Sequence, residues 1–240
     1  MWQPLAIAIA LLTRIPVPRY GSSDPRAVGR SVLWYPPVGL LVGFVLAGVC
    51  LLAESAPAMV GAALALLAWC GITGGLHLDG LSDSTDALIG SHGDSARALE
   101  IMKDPAAGPM GVIAVCMVLI VKFAALTTHI SMETWWPIVA APVLGRAAVI
   151  ALLLSTPYVR PRGLGAVLAA HLPRGPGRVV LVVVLAAVFF AGGAAPLIGA
   201  VLAFLFLRRL IMRTIGGTTG DTIGALVEVT EAAALVGAAL

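Results

Sequence analysis

The sequence has few charged residues. Only 11% of its 240 residues are Asp, Glu, Lys or Arg, whereas 60% are hydrophobic. A soluble domain usually carries about a quarter charged residues, so the composition excludes an ordinary water-soluble globular protein. It predicts an integral membrane protein in contact with lipid, and we expect no nucleic-acid partner.

Cysteine is also scarce. The three cysteines, Cys50, Cys70 and Cys116, all lie in apolar stretches and show no CxxC spacing. This pattern predicts neither disulfide bonds nor a cysteine metal site.

Long apolar segments fill most of the chain. A helix needs about 20 apolar residues to cross a bilayer. The segments that approach this length are 32–53, 57–76, 109–128, 136–155, 178–194, 196–212 and 222–240. Residues 1–13 are apolar but shorter, which predicts an interfacial or re-entrant helix. We therefore predict an all-α, polytopic membrane helix bundle with about seven transmembrane helices (range six to eight), forming one domain over residues 1–240.

Basic residues mark one side of this predicted bundle. Every Lys and Arg except Lys122 and Arg146 falls at connections on that side, and the alternate connections contain none. The positive-inside rule makes the basic side cytoplasmic. We predict a multi-pass protein of the cell inner or plasma membrane with a cytoplasmic polar active site. The orientation charges near the lipid headgroups are predicted to include Arg19, Arg26, Arg174 and Arg178.

Three carboxylates lie on that same side. Asp79, Asp83 and Asp86 are spaced i, i+4 and i+7, so they share one face of a helix. Unpaired, they would repel one another, and each is costly to keep ionised near hydrocarbon. Mg²⁺ takes oxygen ligands and is usually completed by water and substrate phosphate. The cluster therefore predicts phosphoryl chemistry at a membrane surface.

Two further acidic regions follow. The segment from His77 to Gly108 is predicted to be a long charged loop that re-enters the membrane at its Gly-Pro break. Near the C-terminus, Asp221, Glu228 and Glu231 share one helical face. Carboxylates within apolar segments are functional candidates by default.

Some residues keep two interpretations. Lys122 and Arg146 lie inside apolar segments, and each needs either a carboxylate or a substrate phosphate as its partner. His77 is off the carboxylate face, so capping or packing competes with a role as general base. Gly39 and Gly43 form a small-xxx-small pair, which indicates helix packing rather than chemistry.

With these motifs the sequence resembles the cobalamin synthase family, the adenosylcobinamide-GDP ribazoletransferases. The His-Leu-Asp-Gly run at 77–80, followed by Asp83 and Asp86, is the most specific match. The other matching stretches, in family order, are 13–18, 35–39, 100–104, 122–126, 145–148 and 219–221 with Gly224, Glu228 and Glu231. Together they cover nearly the whole chain.

The resemblance implies a reaction at the end of cobalamin (vitamin B12) biosynthesis. Adenosylcobinamide-GDP and α-ribazole, or its 5′-phosphate, would give adenosylcobalamin, or its 5′-phosphate, and GMP. It also implies a Mg²⁺ cofactor, and it leaves open an oligomer or a complex with other corrinoid-pathway enzymes.

The resemblance also implies roles for individual residues. The carboxylate face would hold Mg²⁺ against the pyrophosphate, and one of its members or His77 would be the general base. The implied metal ligands are Asp79, Asp83, Asp86, Asp221 and Glu228. The implied phosphate-side contacts are Arg14, Lys103, Asp104 and Arg146.

Two other functional classes remain as alternatives. A CDP-alcohol phosphotransferase also uses aspartates at cytoplasmic helix ends, but its Asp-Gly-x-x-Ala-Arg run is absent, because Asp79-Gly80 is followed by Leu81-Ser82-Asp83. A cation or proton transporter would use the intramembrane Glu228, Glu231 and Arg146. Transporters often show internal repeats, and the sequence shows none.

Overall fold

The computed structural model describes residues 2–18 and 24–240, so Arg19 lies outside the described residues. These ranges are almost entirely helical, and no β-strand element forms within them. The helices are α1 (Trp2–Leu12), α2 (Pro25–Ser31), α3 (Tyr35–Leu52), α4 (Ala58–Thr73), α5 (Leu76–Gly90), α6 (Ser95–Ile101), α7 (Pro109–Ser131), α8 (Trp136–Ser155), α9 (Leu164–His171), α10 (Arg174–Gly192), α11 (Ala195–Ile215) and α12 (Gly220–Ala239). A single 3-10 turn, Val32–Trp34, joins α2 to α3.

The described residues contain six helices that are long and apolar enough to cross a membrane. These are α3 with the helical turns before it, α7, α8, α10, α11 and α12. The count becomes seven if α4 and α5 are taken as one broken span. The prediction of an all-α, multi-pass membrane bundle with about seven spans is confirmed.

A sharp turn separates α4 from α5. Gly74 and Gly75 have φ values of 64° and 71°, a left-handed conformation that glycine adopts without the steric cost of a Cβ. The two helices meet at 87°. Helix α5 therefore leaves the direction of α4 and packs its carboxylate-bearing face against the starts of α7 and α12.

The segment predicted as a long loop from His77 to Gly108 is largely helical, so that prediction is wrong. Helix α5 fills its first half, and α6 follows. Asp94 starts α6, because its side chain accepts hydrogen bonds from the backbone N–H groups of Ala96 and Arg97. The segment was predicted as a loop between two apolar segments, whereas it forms two helices, of which α6 is capped by a side chain.

Helices α8 and α12 form the centre of the bundle and are its most buried spans, whereas α10 exposes most of its surface. Side chains of α3, α4 and α7 pack with those of α8 and α12 in one hydrophobic core. This core includes Leu46, Trp69, Leu126, Leu144 and Leu235. His129 near the end of α7 adds a hydrogen bond to this core, because its Nε2 lies 2.9 Å from the Leu235 carbonyl oxygen of α12.

Two arginines of the basic side donate hydrogen bonds to carbonyl groups at the C-terminus of α8. Arg174 donates to the Leu154 carbonyl at 3.3 Å, and Arg208 donates to the Ser155 carbonyl at 2.7 Å. Cations are favourable at a helix C-terminus, where carbonyl groups lack partners. These two side chains therefore bring the basic ends of α10 and α11 to α8.

Close packing of α3 against α8 depends on two glycines. A Cβ built on Gly39 would lie 2.5 Å from the Pro142 carbonyl oxygen, and one on Gly43 would lie 2.6 Å from that of Val139. Small residues let membrane helices approach at backbone distance. The predicted packing role of this glycine pair is confirmed.

Replacing Gly43 by alanine tests this contact. We expect Gly43→Ala to destabilise the folded protein by about 1–3 kcal/mol, because the added methyl forces α3 and α8 apart. Thermal unfolding in detergent measures the loss. Gly48→Ala on the same helix is the matched control, since a Cβ there meets nothing within 4 Å. Equal melting temperatures for the two variants would contradict the close approach.

Candidate active site

The predicted acidic face lies on α5. Asp79 is in its first turn and is exposed, whereas Asp83 and Asp86 are partly buried. The helix follows the Gly74-Gly75 turn directly, so the turn fixes where this face points. The three carboxylates thus run along one amphipathic helix at the basic end of the bundle.

Asp86 also holds the start of α7. Its two carboxylate oxygens accept hydrogen bonds from the backbone N–H groups of Gly108 at 2.8 Å and Gly111 at 2.9 Å. Negative charge is favourable at a helix N-terminus, and these amides have no partner within their own helix. Any side chain at Gly108 or Gly111 would collide with this carboxylate. Asp86 therefore belongs to the acidic face and also positions α7.

The start of α12 lies beside the same face. Thr219 and Thr222 form a capping box at its first turn. A Cβ on Gly80 of α5 would lie 2.7 Å from the Asp221 carbonyl oxygen, so the backbones of α5 and α12 are in contact. This contact brings Asp221 from the C-terminal helix to the aspartates of α5.

Asp221 has a cationic partner that the sequence prediction missed. Arg160 Nη2 lies 2.8 Å from Asp221 Oδ2. Arg160 comes from the connection between α8 and α9, and sequence reasoning counted it only among the basic residues of one side of the bundle. No spacing pattern links positions 160 and 221, because the contact depends on how distant segments meet.

The carboxylates influence one another electrostatically. Partial burial and the neighbouring charges of Asp79, Asp221 and Asp86 raise the pKa of Asp83 to about 6, while Arg160 opposes the shift. Crowded negative charges of this kind are relieved by protonation or by a bound cation. The site is therefore suited to a cation.

The chemistry of these ligands fits Mg²⁺ completed by substrate. Within the described residues, no group of three or more His, Cys, Asp or Glu side chains could hold a metal alone. Mg²⁺ commonly binds through one or two carboxylates, several waters and substrate phosphates rather than an all-protein cage. One or two of the carboxylates of Asp79, Asp83 and Asp221 would meet that requirement.

A separate ion network lies inside the bundle. Lys122 Nζ of α7 is 2.7 Å from Glu228 Oε2 and 2.5 Å from Glu231 Oε2 of α12. Arg146 of α8 donates to the other oxygen of Glu231. Lys122 also lies 4.2 Å from the ring centre of Trp69. These two cations and two carboxylates balance in charge and are at most 5% exposed.

This network gives Glu228 and Arg146 partners other than those the resemblance implied. Glu228 pairs with Lys122 instead of joining the acidic face, and Arg146 pairs with Glu231 instead of facing a phosphate. Buried charges are costly unless paired, so opposite charges on neighbouring spans meet each other. Of the two partners considered for Lys122 and Arg146, the structure shows the carboxylates.

His77 is buried on the inner side of α5. A Cβ on Gly224 of α12 would lie 3.2 Å from its Cα, and its Nδ1 has no hydrogen-bond partner. Burial, together with the charges of Arg146 and Lys122, lowers the pKa of His77 well below its usual value. This position favours the packing interpretation over proton transfer on the exposed face.

The remaining predicted phosphate-side residues lie at the edges. Arg14 donates to the Gly74 carbonyl at 3.4 Å and so borders the α4–α5 turn. Lys103 and Asp104 are exposed after α6, where Asp104 accepts a hydrogen bond from the Ala106 N–H. These contacts do not join the three residues to the acidic face.

A family profile described as cobalamin-5-phosphate synthase matches residues 4–239. The chain belongs to the cobalamin-5-phosphate synthase family. Its curated relatives include proteins from Pseudomonas savastanoi pv. phaseolicola at 48% identity and Pseudomonas syringae pv. syringae at 49%, each over 99% of both chains. A third, from Stutzerimonas stutzeri, is 49% identical over 99% of this chain and 98% of its own.

All three relatives are named adenosylcobinamide-GDP ribazoletransferase. No solved structure matches the chain. The positions of the carboxylates, the ion network and Arg160 therefore come from the structure of this chain alone.

The raised pKa of Asp83 predicts a pH effect on stability when divalent cations are removed. An unfolded aspartate loses its proton near pH 3.9, whereas folded Asp83 keeps it to about pH 6. The folded state is therefore favoured by protonation, and this contribution is lost as the pH rises from about 4 through 6.

We expect Asp83→Asn to melt about 2–4 °C above the wild type in EDTA at pH 7.5. The difference should fall to about half at pH 5 and disappear below about pH 4, where the carboxyl is protonated in both the folded and the unfolded state. Calorimetry or fluorescence in detergent measures both values. A variant that melts below the wild type at pH 7.5 would contradict the charge crowding.

The ion network predicts a large stability loss when one charge is removed. We expect Glu231→Gln to destabilise the protein by about 3–5 kcal/mol, because Arg146 is left buried without its carboxylate. Denaturation in mixed detergent measures this loss. The double variant with Arg146→Met should recover part of it. Glu100→Gln, which breaks an exposed pair with Arg97, is the control and should leave the midpoint unchanged.

Proposed function

We propose that this chain transfers the adenosylcobinamide-phosphate moiety of adenosylcobinamide-GDP to α-ribazole or its 5′-phosphate, in a Mg²⁺-dependent reaction. The products are adenosylcobalamin, or its 5′-phosphate, and GMP. The observation that carries the proposal is the aspartate face of α5 beside Asp221 in a chain of the cobalamin-5-phosphate synthase family. The names of the full-length relatives support the reaction.

The chemistry exchanges one phosphoester bond for another. A ribose hydroxyl attacks the phosphorus nearest the corrinoid, the new P–O bond forms, and the bond to the GMP oxygen breaks. Such transfers depend on positioning and charge stabilisation more than on covalent catalysis. Mg²⁺ bound at the site would neutralise the charge that grows on the pyrophosphate oxygens.

The protein's own groups have distinct tasks in this proposal. Asp79 and Asp83 would hold the cation at the solvent-accessible side of α5. Asp86 keeps the start of α7 in place through its two amide contacts. A carboxylate of the acidic face accepts the proton of the attacking hydroxyl, because His77 is buried away from that face.

The distribution of basic residues supports a cytoplasmic active site in the cell membrane. The site's contacts lie at the end of the bundle where Arg14, Arg160, Arg174 and Arg208 also lie. Both substrates carry charged groups, so access from the aqueous side suits them.

A product assay tests the proposal. Purified protein in detergent receives adenosylcobinamide-GDP, α-ribazole and Mg²⁺, and chromatography follows GMP and the completed corrinoid. We expect turnover by the wild type, none in EDTA, and a loss of about 100-fold or more in Asp83→Asn. Glu54→Gln, an exposed change on the other side of the bundle, should retain activity.

Two results would contradict the proposal in different ways. A folded wild type that releases no GMP would overturn the transferase function. Full turnover in EDTA would overturn the metal requirement and leave the transferase function standing.

A further inference from the structure

Arg160 is held firmly against the start of α12. The Val159 N–H donates to the Thr218 carbonyl at 3.0 Å, and the Thr218 N–H donates to the Pro157 carbonyl at 2.8 Å. These bonds form a short parallel bridge between Tyr158 and Thr218. The bridge joins the α8–α9 connection to the loop before α12, so backbone contacts fix the root of the Arg160 side chain beside Asp221.

The guanidinium of Arg160 retains unused hydrogen-bonding capacity. Its Nη2 lies 2.8 Å from Asp221 Oδ2 and donates to the Met102 carbonyl at 3.4 Å. Its Nε is buried and has no hydrogen-bond partner. Asp221 Oδ2 accepts no well-aligned hydrogen bond either, despite the short distance to Nη2. Arg160 and Asp221 therefore form an ion pair in which the Nε–H of Arg160 has no hydrogen-bond acceptor.

The surroundings of Arg160 are strongly acidic. It acts electrostatically on Asp83 and Asp221, and Asp79 and Asp86 stand on the same side. A planar guanidinium can bind two oxygens of a phosphate at once. Its side chain is 29% exposed, so an anion can reach it from solvent.

We propose that Arg160 is a phosphate-binding residue that changes partner when the substrate arrives. In the free protein it neutralises Asp221. With the substrate's pyrophosphate bound, Arg160 binds a phosphoryl oxygen and releases Asp221 to the carboxylates that hold the cation. This inference rests on the proposed function, because it takes the pyrophosphate substrate and the divalent cation from it.

The change of partner at Arg160 couples the affinity for the pyrophosphate substrate to the affinity for the cation. Substrate binding removes the positive charge that competes for Asp221, so it strengthens cation binding, and cation binding strengthens substrate binding by the same factor. In the free protein the arginine keeps cation affinity low. The carboxylate site is thus completed only when there is a pyrophosphate to act on.

Binding measurements on the full chain in detergent separate these effects. Calorimetry gives the affinity for adenosylcobinamide-GDP in EDTA, and electron paramagnetic resonance gives the affinity for Mn²⁺ without substrate. We expect Arg160→Gln to weaken substrate binding in EDTA about tenfold or more and to strengthen Mn²⁺ binding several-fold. Arg162→Gln, an exposed change two residues away, should match the wild type in both.

Two further variants keep the test decisive. Arg160→Lys retains the charge without the planar fork, so it should keep wild-type Mn²⁺ affinity and lose part of the substrate affinity. Asp221→Asn removes the internal partner of Arg160. It should bind substrate in EDTA more tightly than the wild type and bind Mn²⁺ more weakly.

The outcomes are distinguishable. Opposite shifts of the two affinities in Arg160→Gln support the exchange, because a purely structural residue would weaken both. If Arg160→Gln weakens both the substrate affinity and the Mn²⁺ affinity, or leaves the substrate affinity unchanged, the proposed exchange is overturned. The proposed function still stands in that case, provided that the wild type binds substrate and Mn²⁺. A wild type that binds neither substrate nor Mn²⁺ would overturn the proposed function itself.

Discussion

Pairing of buried charge is the constraint on which the rest of the bundle depends. Helix α12 carries Glu228 and Glu231 through the apolar interior, where an unpaired carboxylate is untenable. Lys122 and Arg146 must therefore come from α7 and α8 to the same depth. The pairing fixes the rotation and the height of three spans together.

Helices α5, α7 and α12 contact one another in pairs near the acidic face. Asp86 joins α5 to the start of α7, the Lys122–Glu228 pair joins α7 to α12, and Gly80 joins α12 back to α5. Each of these contacts limits the other two. The aspartate face is held by this triangle of helices and not by a loop.

Sequence reasoning predicted the parts of this structure that follow from local patterns. Apolar length predicted the spans, and the spacing of Asp79, Asp83 and Asp86 predicted a shared helical face. The turn at Gly74-Gly75 was not predicted, because apolar composition continues past the point where backbone conformation stops the helix.

Contacts between distant segments were beyond the sequence. The position of Lys122 and Arg146 inside apolar segments showed that each needed a partner, but not that Arg146 meets Glu231 while Lys122 meets both Glu228 and Glu231. Arg160 was missed for the same reason. Its role depends on the bridge from Tyr158 to Thr218, which joins positions 60 residues apart.

The 87° turn between α4 and α5 decides the direction in which the row of carboxylates runs. Asp79 and Asp86 are seven residues apart, which is roughly 10 Å along a helix at 1.5 Å per residue. Had α5 continued straight from α4, that row would run along the axis of α4. Because α5 turns, the row runs almost at right angles to α4, and the α5 backbone meets the start of α12 at Gly80 and Asp221. The acidic face is therefore displayed across the first turn of α12 instead of along the length of α4.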